Sequence, residues 1–188
     1  MNRDSRQVLT EWLVLAAQRG DESAFRDLHQ LWQGDLRRMT QVRVERPEAA
    51  DEVLTDVWLA IARNLWRLDD PACFPRWAFQ IVVRRCADWI KKRSRARRHE
   101  VTLASQADEF APASPDSSPP EEHDDRWRLR ATIAQLPPEQ RELLHLYYER
   151  ECGIAEIAEV LAIPPGTVKS RLFSVRENLK RLVERKSP

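Results

Sequence analysis

Three groups of side chains have types and spacings that could do chemistry. Lys169, Ser170, Arg171, Phe173, Ser174 and Arg176 follow the break "IPPGT". Val168, Leu172, Val175 and Leu179 repeat at helical spacing through the same stretch, so they take the core side and leave the first group exposed,. Donor-rich side chains on one helical face suit the base edges and phosphates of a duplex. A second group, Arg76, Trp77, Phe79, Arg84, Arg85 and Trp89, mixes cations with aromatics and runs into "KKRSRARR", six charges in eight residues that include Lys91 and Lys92. Such a mixture can stack an unpaired base and hold its backbone. Core packing of Trp77 and Trp89, and a merely solvated basic helix end, are the competing readings. A third group, Asp51, Glu52 and Asp56, lies near a helix start, with Glu52 and Asp56 on one face and Asp51 to their side,. Those acids suit either the helix dipole or a basic protein partner.

Nothing else suggests catalysis. The chain has no Gly-rich phosphate loop, no His/Glu zinc spacing and no Ser or Cys in a nucleophile setting,. No catalytic residue, metal ligand or cofactor is therefore expected. Cys73, Cys86 and Cys152 are scattered without C-x-x-C or Cys/His ligand spacing, which suggests reduced thiols and a cytoplasmic protein,. Apolar runs fall far short of a membrane span and "MNRDSRQ" has no apolar signal core, so no membrane insertion is expected,.

The elements that must position these groups are helices. Only 4 glycines occur in 188 residues, and 32% of the chain is charged against 42% hydrophobic,. Asp21 reads as an N-cap ahead of Phe25, Leu28, Leu31 and Trp32 on one face. Pro47 opens a helix whose stripe is Val53, Leu54, Val57, Trp58, Ile61 and Leu65. "LDDPACFP" is a prolyl break before a third long helix. Further on, Pro137 and Pro138 stop one helix and start another. Pro164 and Pro165 then forbid a continuous helix and preset a new start at Gly166 and Thr167, the layout of a helix-turn-helix.

Charge divides the chain. Residues 1–103 hold 19 Lys and Arg against 15 acids, residues 104–125 none against 7, and residues 126–188 hold 12 against 8. The middle strip, rich in Pro, Ser and acid, cannot bury enough apolar surface to order itself. The expected architecture is all-α: a helical domain over 8–98, a flexible acidic linker over 99–125 and a second small helical domain over 126–186.

Four segments in order resemble bacterial RNA polymerase sigma factors of the extracytoplasmic-function group, the sigma-70 family's minimal kind with regions 2 and 4 only. They are "RGDESAFRDLHQLW", "EAADEVLTDVWLAIARNL", "FPRWAFQIVVRRCADWIKK" and the whole of "LPPEQRELLHLYYERECGIAEIAEVLAIPPGTVKSRLFSVRENLKRL". The resemblance implies an alternative sigma factor without catalysis of its own. It would bind core RNA polymerase, recognise the −10 and −35 elements of promoter DNA and help melt the −10 region. Asp51, Glu52, Thr55, Asp56 and Trp58 would dock on the clamp of the largest subunit, and the flap of the second subunit would be a further partner surface. Arg76, Trp77, Gln80, Arg84, Arg85, Lys91 and Lys92 would serve the −10 element, where a base of the melted strand is flipped into a pocket. Thr167, Lys169, Ser170, Arg171, Phe173, Ser174 and Arg176 would serve the −35 element. The linker would mimic RNA, and an anti-sigma factor could hold the protein inactive. A free-standing helix-turn-helix regulator is the alternative function. Departures from the group's patterns fall at Thr55 for Gln, Val83 for Arg, Arg84 for Asn, Gly153 for a capping Ser or Thr, Ala162 for Gly and Ser174 for Arg. The polymerase contacts, the −10 preference and the turn are accordingly expected to differ in detail.

Overall fold

The computed structural model describes residues 3–44, 46–103 and 131–184. The chain divides into two units, the first formed up to Ala96 and the second by most of the chain beyond it. Both are helical, and no strand occurs among the described residues. No helix among them is long and apolar enough to cross a membrane.

Helices α1 (Arg3–Gln18), α2 (Glu22–Arg43), α3 (Pro47–Asn64) and α4 (Phe74–Leu103) build the first unit. The α1–α2 turn is tight because both ends are capped. Gly20 takes φ +93°, the left-handed region, and its N–H donates to the Ala17 carbonyl at 3.0 Å, while the Asp21 N–H donates to that of Ala16 at 3.2 Å,. Asp21 then accepts from the Ser23 and Ala24 amides at 2.9 and 3.1 Å, capping α2 as expected,. The Ser23 hydroxyl, followed by the Ala24 and Ser23 amides, holds its carboxyl below the usual carboxylate range,.

Trp32 is the centre of the first core. Its ring meets Phe74 and Phe79 edge-on, with centroids 5.7 and 6.3 Å apart. Its indole N–H donates to the Thr10 hydroxyl at 3.0 Å, which donates in turn to the Arg6 carbonyl at 2.8 Å. One side chain on α2 thereby ties α1 to α4, and each large apolar side chain so buried contributes about 1.5–3 kcal/mol. Arg6 lies outside the expected 8–98 boundary yet belongs here. Its guanidinium sits 4.5 Å from the Trp32 ring centroid, donates to the Leu31 carbonyl at 2.9 Å and pairs with Asp35. At the far end of α1, the Gln18 amide donates to the carbonyls of both Leu65 and Leu68, at 2.9 and 2.8 Å. That fixes the 3₁₀ turn Leu65–Arg67 that ends α3.

α4 runs to Leu103, five residues into the stretch given to the linker on sequence. Lys and Arg are good helix formers, so "KKRSRARR" extends the helix instead of ending it. The rest of the expected linker lies outside the described residues, as do the side chains of Arg97 and Arg98. Cys86 is buried in the face α4 turns to the core, and Cys73 is half-buried before it. The Cys73 thiol donates to Asp70 at 3.3 Å, a hydrogen bond that pushes its pKa up.

The second unit has a helical turn over 131–134, then α5 (Pro138–Leu144), α6 (Ile154–Leu161) and α7 (Pro165–Glu184). Leu136, Leu144 and Val175 form its core with Ile133 and Leu179 against them. Ile157, Val168 and Leu172 are buried as well, so the expected inward face of α7 is observed. α5 widens at its end into a π turn, His145–Glu149, whose Arg150 N–H donates to the His145 carbonyl at 3.0 Å,. Gly153 keeps half of a capping box: its N–H donates to the Glu156 carboxylate at 3.2 Å,. α6 ends with Ala162 at φ +53°, and the Ile163 N–H donates to the Ala158 carbonyl at 3.0 Å. The turn thus has the geometry a glycine would favour, without the glycine.

Left-handed backbone costs a residue with a Cβ about 1–2 kcal/mol, and glycine's extra freedom when unfolded offsets about 0.4–1 kcal/mol of the gain from replacing it. A162G should therefore stabilise the helix-turn-helix by about 0.5 kcal/mol. A denaturant melt checks this, and an unchanged or lower midpoint would contradict strain at the turn.

Candidate nucleic-acid interface

Helix α4 has two working faces. Phe74, Ala78, Phe79, Val82 and Cys86 are buried in the core. On another side Trp77, Ile81, Arg84, Arg85 and Asp88 recur at helical spacing and line an open cleft of about 400 Å³,. Ala60 and Asn64 of α3 and Arg67 of the 3₁₀ turn close its other wall. The structure therefore brings together Trp77, Arg84 and Arg85 of the sequence-predicted set. Arg76 and Gln80 do not line the cleft; Arg76 donates instead to the Cys73 sulfur at 3.2 Å. Lys91 and Lys92 are exposed further along α4. Phe79 belongs to the core, whereas Trp77 is half-buried, its ring 6.0 Å from Phe74 and tilted against it. Trp89 is also half-buried, with the Arg93 guanidinium 5.2 Å from its ring centroid.

Electrostatics distinguish this cleft. Among the described residues, Arg84, Arg85 and Asp88 have no hydrogen-bond or ion-pair partner. Three charged heads around a half-buried indole are thus uncommitted, which suits a flat, polar, π-faced ligand. Asn64, Arg67, Ile81 and Asp88 were not anticipated. Ile81 and Asp88 continue the spacing of Trp77 and Arg84 along one helix and could have been found that way. Asn64 and Arg67 come from a different element, and no local pattern points to them.

In the second unit the exposed side of α7 carries Lys169, Ser170, Arg171, Phe173, Ser174 and Arg176, with Thr167 half-buried at its start. Phe173 is 67% exposed, far more than core packing would leave it,. The two serine hydroxyls are turned back on the helix, Ser170 to the Thr167 carbonyl and Ser174 to that of Ser170, each at 3.1 Å. Arg171 lies 3.6 Å from the Glu139 carboxylate, an exposed pair. Arg176 is held differently. Its Nε donates to the Tyr148 hydroxyl at 2.9 Å, and its guanidinium is 5.5 and 5.8 Å from the Tyr147 and Tyr148 ring centroids. The Tyr148 hydrogen bond raises its pKa further. The π turn brings two consecutive tyrosines around one arginine, a contact the sequence did not announce.

The acids of α3 separate into two kinds. Asp51 is tied to Arg37 at 3.0 Å. Glu52 and Asp56 are exposed, with no hydrogen-bond or ion-pair partner among the described residues. Thr55 lies between them and donates to the Asp51 carbonyl at 3.0 Å. Leu59, next along this face, is 48% exposed and was not foreseen. Trp58 corrects the expectation that put it among the docking residues. It is only 8% exposed, its ring 4.4 Å from His29 and edge-on to Phe25 at 6.3 Å, because the helix turns that position toward α2. No group of three or more His, Cys, Asp or Glu able to hold a metal ion occurs among the described residues.

Comparison with known proteins accounts for both units. Residues 25–96 match the family model for Sigma-70 region 2, and residues 126–179 match that for Sigma-70, region 4. The chain is 28% identical over 171 residues to the ECF RNA polymerase sigma factor SigM of Mycobacterium tuberculosis, covering 91% of this chain and 83% of that one. It is 28% identical over 178 residues to the RNA polymerase sigma-H factor of Pseudomonas aeruginosa, covering 92% of each. Its fold is similar to that of CnrH, solved with the cytosolic domain of CnrY, at a TM-score of 0.65 and 22% identity over 95% of this chain and 99% of that one. RpoE of Bartonella quintana, solved with the anti-sigma factor NepR, gives a TM-score of 0.65 at 18% identity, covering 87% and 98%. With a region 2 and a region 4 in the family's order, and relatives of this kind aligned over nearly their whole length, the chain belongs to the sigma-70 family of RNA polymerase sigma factors, in its extracytoplasmic-function group.

Proposed function

We propose that this alternative sigma factor works through three separate faces. The Glu52 and Asp56 side of α3 docks on the clamp of core RNA polymerase. The cleft between α3 and α4 receives an unpaired base of the melted −10 strand, with Lys91, Lys92 and Arg95 following on α4 toward the backbone. The exposed side of α7 enters the major groove of the −35 element. The observation that carries this reading is the sorting of uncommitted charge: unpaired acids on one helix, and unpaired cations around an indole on another, within one small unit.

Each face matches its proposed partner physically. Acids without an internal ion pair lose no contact when a basic surface arrives, whereas Asp51 would first have to leave Arg37. A flipped base offers two π-faces and a polar rim, which a tryptophan and several guanidiniums can satisfy together. On α7, Lys169 and Arg171 are the groups able to donate to guanine edges, and Arg176, held through Nε, keeps its two terminal nitrogens for a phosphate. The 3.6 Å pair with Glu139 is loose enough for Arg171 to exchange it for a base,.

Charge reversal at Glu52 and Asp56 together should weaken binding to core polymerase about tenfold or more. A competition titration against a large sigma factor measures this, and unchanged displacement would remove the clamp assignment. K169A with R171A should erase most of the preference for a true over a scrambled −35 element, each contact contributing about 1–3 kcal/mol of discrimination. Equal preference before and after, at matched holoenzyme occupancy, would contradict it. Y148F removes one hydroxyl and should lower promoter affinity at every sequence alike, severalfold, by freeing Arg176. A change confined to one base position would instead make Tyr148 or Arg176 a reader of sequence.

A further inference from the structure

The base cleft of the first unit has a lining chemistry that selects among the four bases. We propose that it takes a guanine; this rests on the cleft being the site of a flipped base. Arg84 and Arg85 bring two guanidinium forks to one helical face, and Arg67 brings a third from the opposite wall. Asp88 adds a carboxylate about one helical turn beyond Arg84 and Arg85, roughly 4.5–6 Å along the axis,. Asn64 adds a carboxamide: one of its two N–H donors goes to the Ala60 carbonyl at 2.8 Å, which leaves its oxygen and the second N–H for a ligand,. Arg84, Arg85 and Asp88 hold no partner among the described residues, so binding breaks no ion pair.

Guanine is the base whose two edges fit that set. Its O6 and N7 are adjacent acceptors that one guanidinium fork satisfies in a bidentate manner. Its N1–H and N2–H₂ are adjacent donors that one carboxylate satisfies in the same way. Adenine sets an amino donor beside N7, so a guanidinium there meets a donor it cannot pair with. Thymine has a single N–H for the carboxylate and places a methyl group near the forks. Cytosine offers a fork its N3 and O2 but has only the N4 amine for the carboxylate, so it cannot pair both carboxylate oxygens as guanine does. Trp77 supplies the stacking face that any base would use, and is therefore the group that tests occupancy without testing identity.

The experiment uses holoenzyme reconstituted from the full chain and bacterial core RNA polymerase. A pool of single-stranded oligonucleotides with randomised −10 positions is retained on it and sequenced, with wild-type protein and with W77A, D88A and R84A/R85A. The expected result is one position selected for guanine about tenfold or more, with the selection lost in W77A. At that position inosine, which lacks the N2 amine, and 7-deazaguanine, which lacks N7, should each bind severalfold more weakly than guanine to the wild-type holoenzyme. D88A should abolish the inosine penalty and R84A/R85A the 7-deazaguanine penalty. A Trp77-dependent position selected for another base would overturn the guanine assignment and leave the flipped-base cleft standing. Selection at no position that depends on Trp77 would overturn both. The two analogues report on unmodified protein, so a variant that fails to fold does not remove the test.

Discussion

Everything proposed for the first unit depends on the rotation of α4 about its own axis, and Trp32 sets that rotation. Phe74 and Phe79 lie on opposite sides of the buried stripe and meet the same indole edge-on. Turning α4 by one residue would lift one of those rings from its contact and carry the Trp77–Arg84–Asp88 face out of line with Asn64 and Arg67. The indole N–H is itself pinned to Thr10, so the reference point is held by a hydrogen bond as well as by packing. An apolar ring at position 32 could fill the volume but would remove the bond that the Thr10 hydroxyl accepts, leaving only the one it donates to the Arg6 carbonyl, a loss of about 0.5–1.5 kcal/mol,.

Much of this was legible in the sequence, for identifiable reasons. The prolines at 47, 138 and 165 start helices because proline costs nothing at a first helical position,. The α7 core positions followed from spacing, and the acids of α3 from their place near its start. What was not legible depends on groups that meet across the fold. Trp58 takes the place its spacing gives it in the apolar stripe, and only the resemblance sets it on the docking face; that it packs on His29, from another helix, is what the spacing does not tell. The end of α4 lies beyond the expected boundary because a basic run, which marks a change of composition, also propagates a helix well,. Region 4 shows the same limit. No local pattern pairs Tyr147 and Tyr148 with Arg176, which lies 28 residues beyond Tyr148, until the π turn aims both at it.

Commitment of charge is what the structure adds to a list of charged residues. Asp51 and Glu52 are neighbours of the same type, yet one is paired to Arg37 and the other is not. Arg176 has its Nε occupied and its approach direction fixed, whereas Arg84 and Arg85 are unconstrained. A fixed arginine gives up little entropy on meeting a phosphate. Free ones can adapt to a base whose position is set by stacking. The two kinds of arginine therefore suit the two partners proposed for them, a regular duplex for the fixed one and an irregular melted strand for the free ones.

The Gln18 amide spends both its hydrogens on the carbonyls of Leu65 and Leu68. Asparagine would be too short to span them, glutamate would bring no donor, and lysine would bring a charge to a part-buried place. Position 18 is consequently narrow in what it tolerates while its neighbour Arg19 is exposed and free to vary. Sequence drift on the first helix can thus reshape the wall of the cleft that holds Asn64 and Arg67, so two related chains with identical α4 helices need not share the base preference proposed for it.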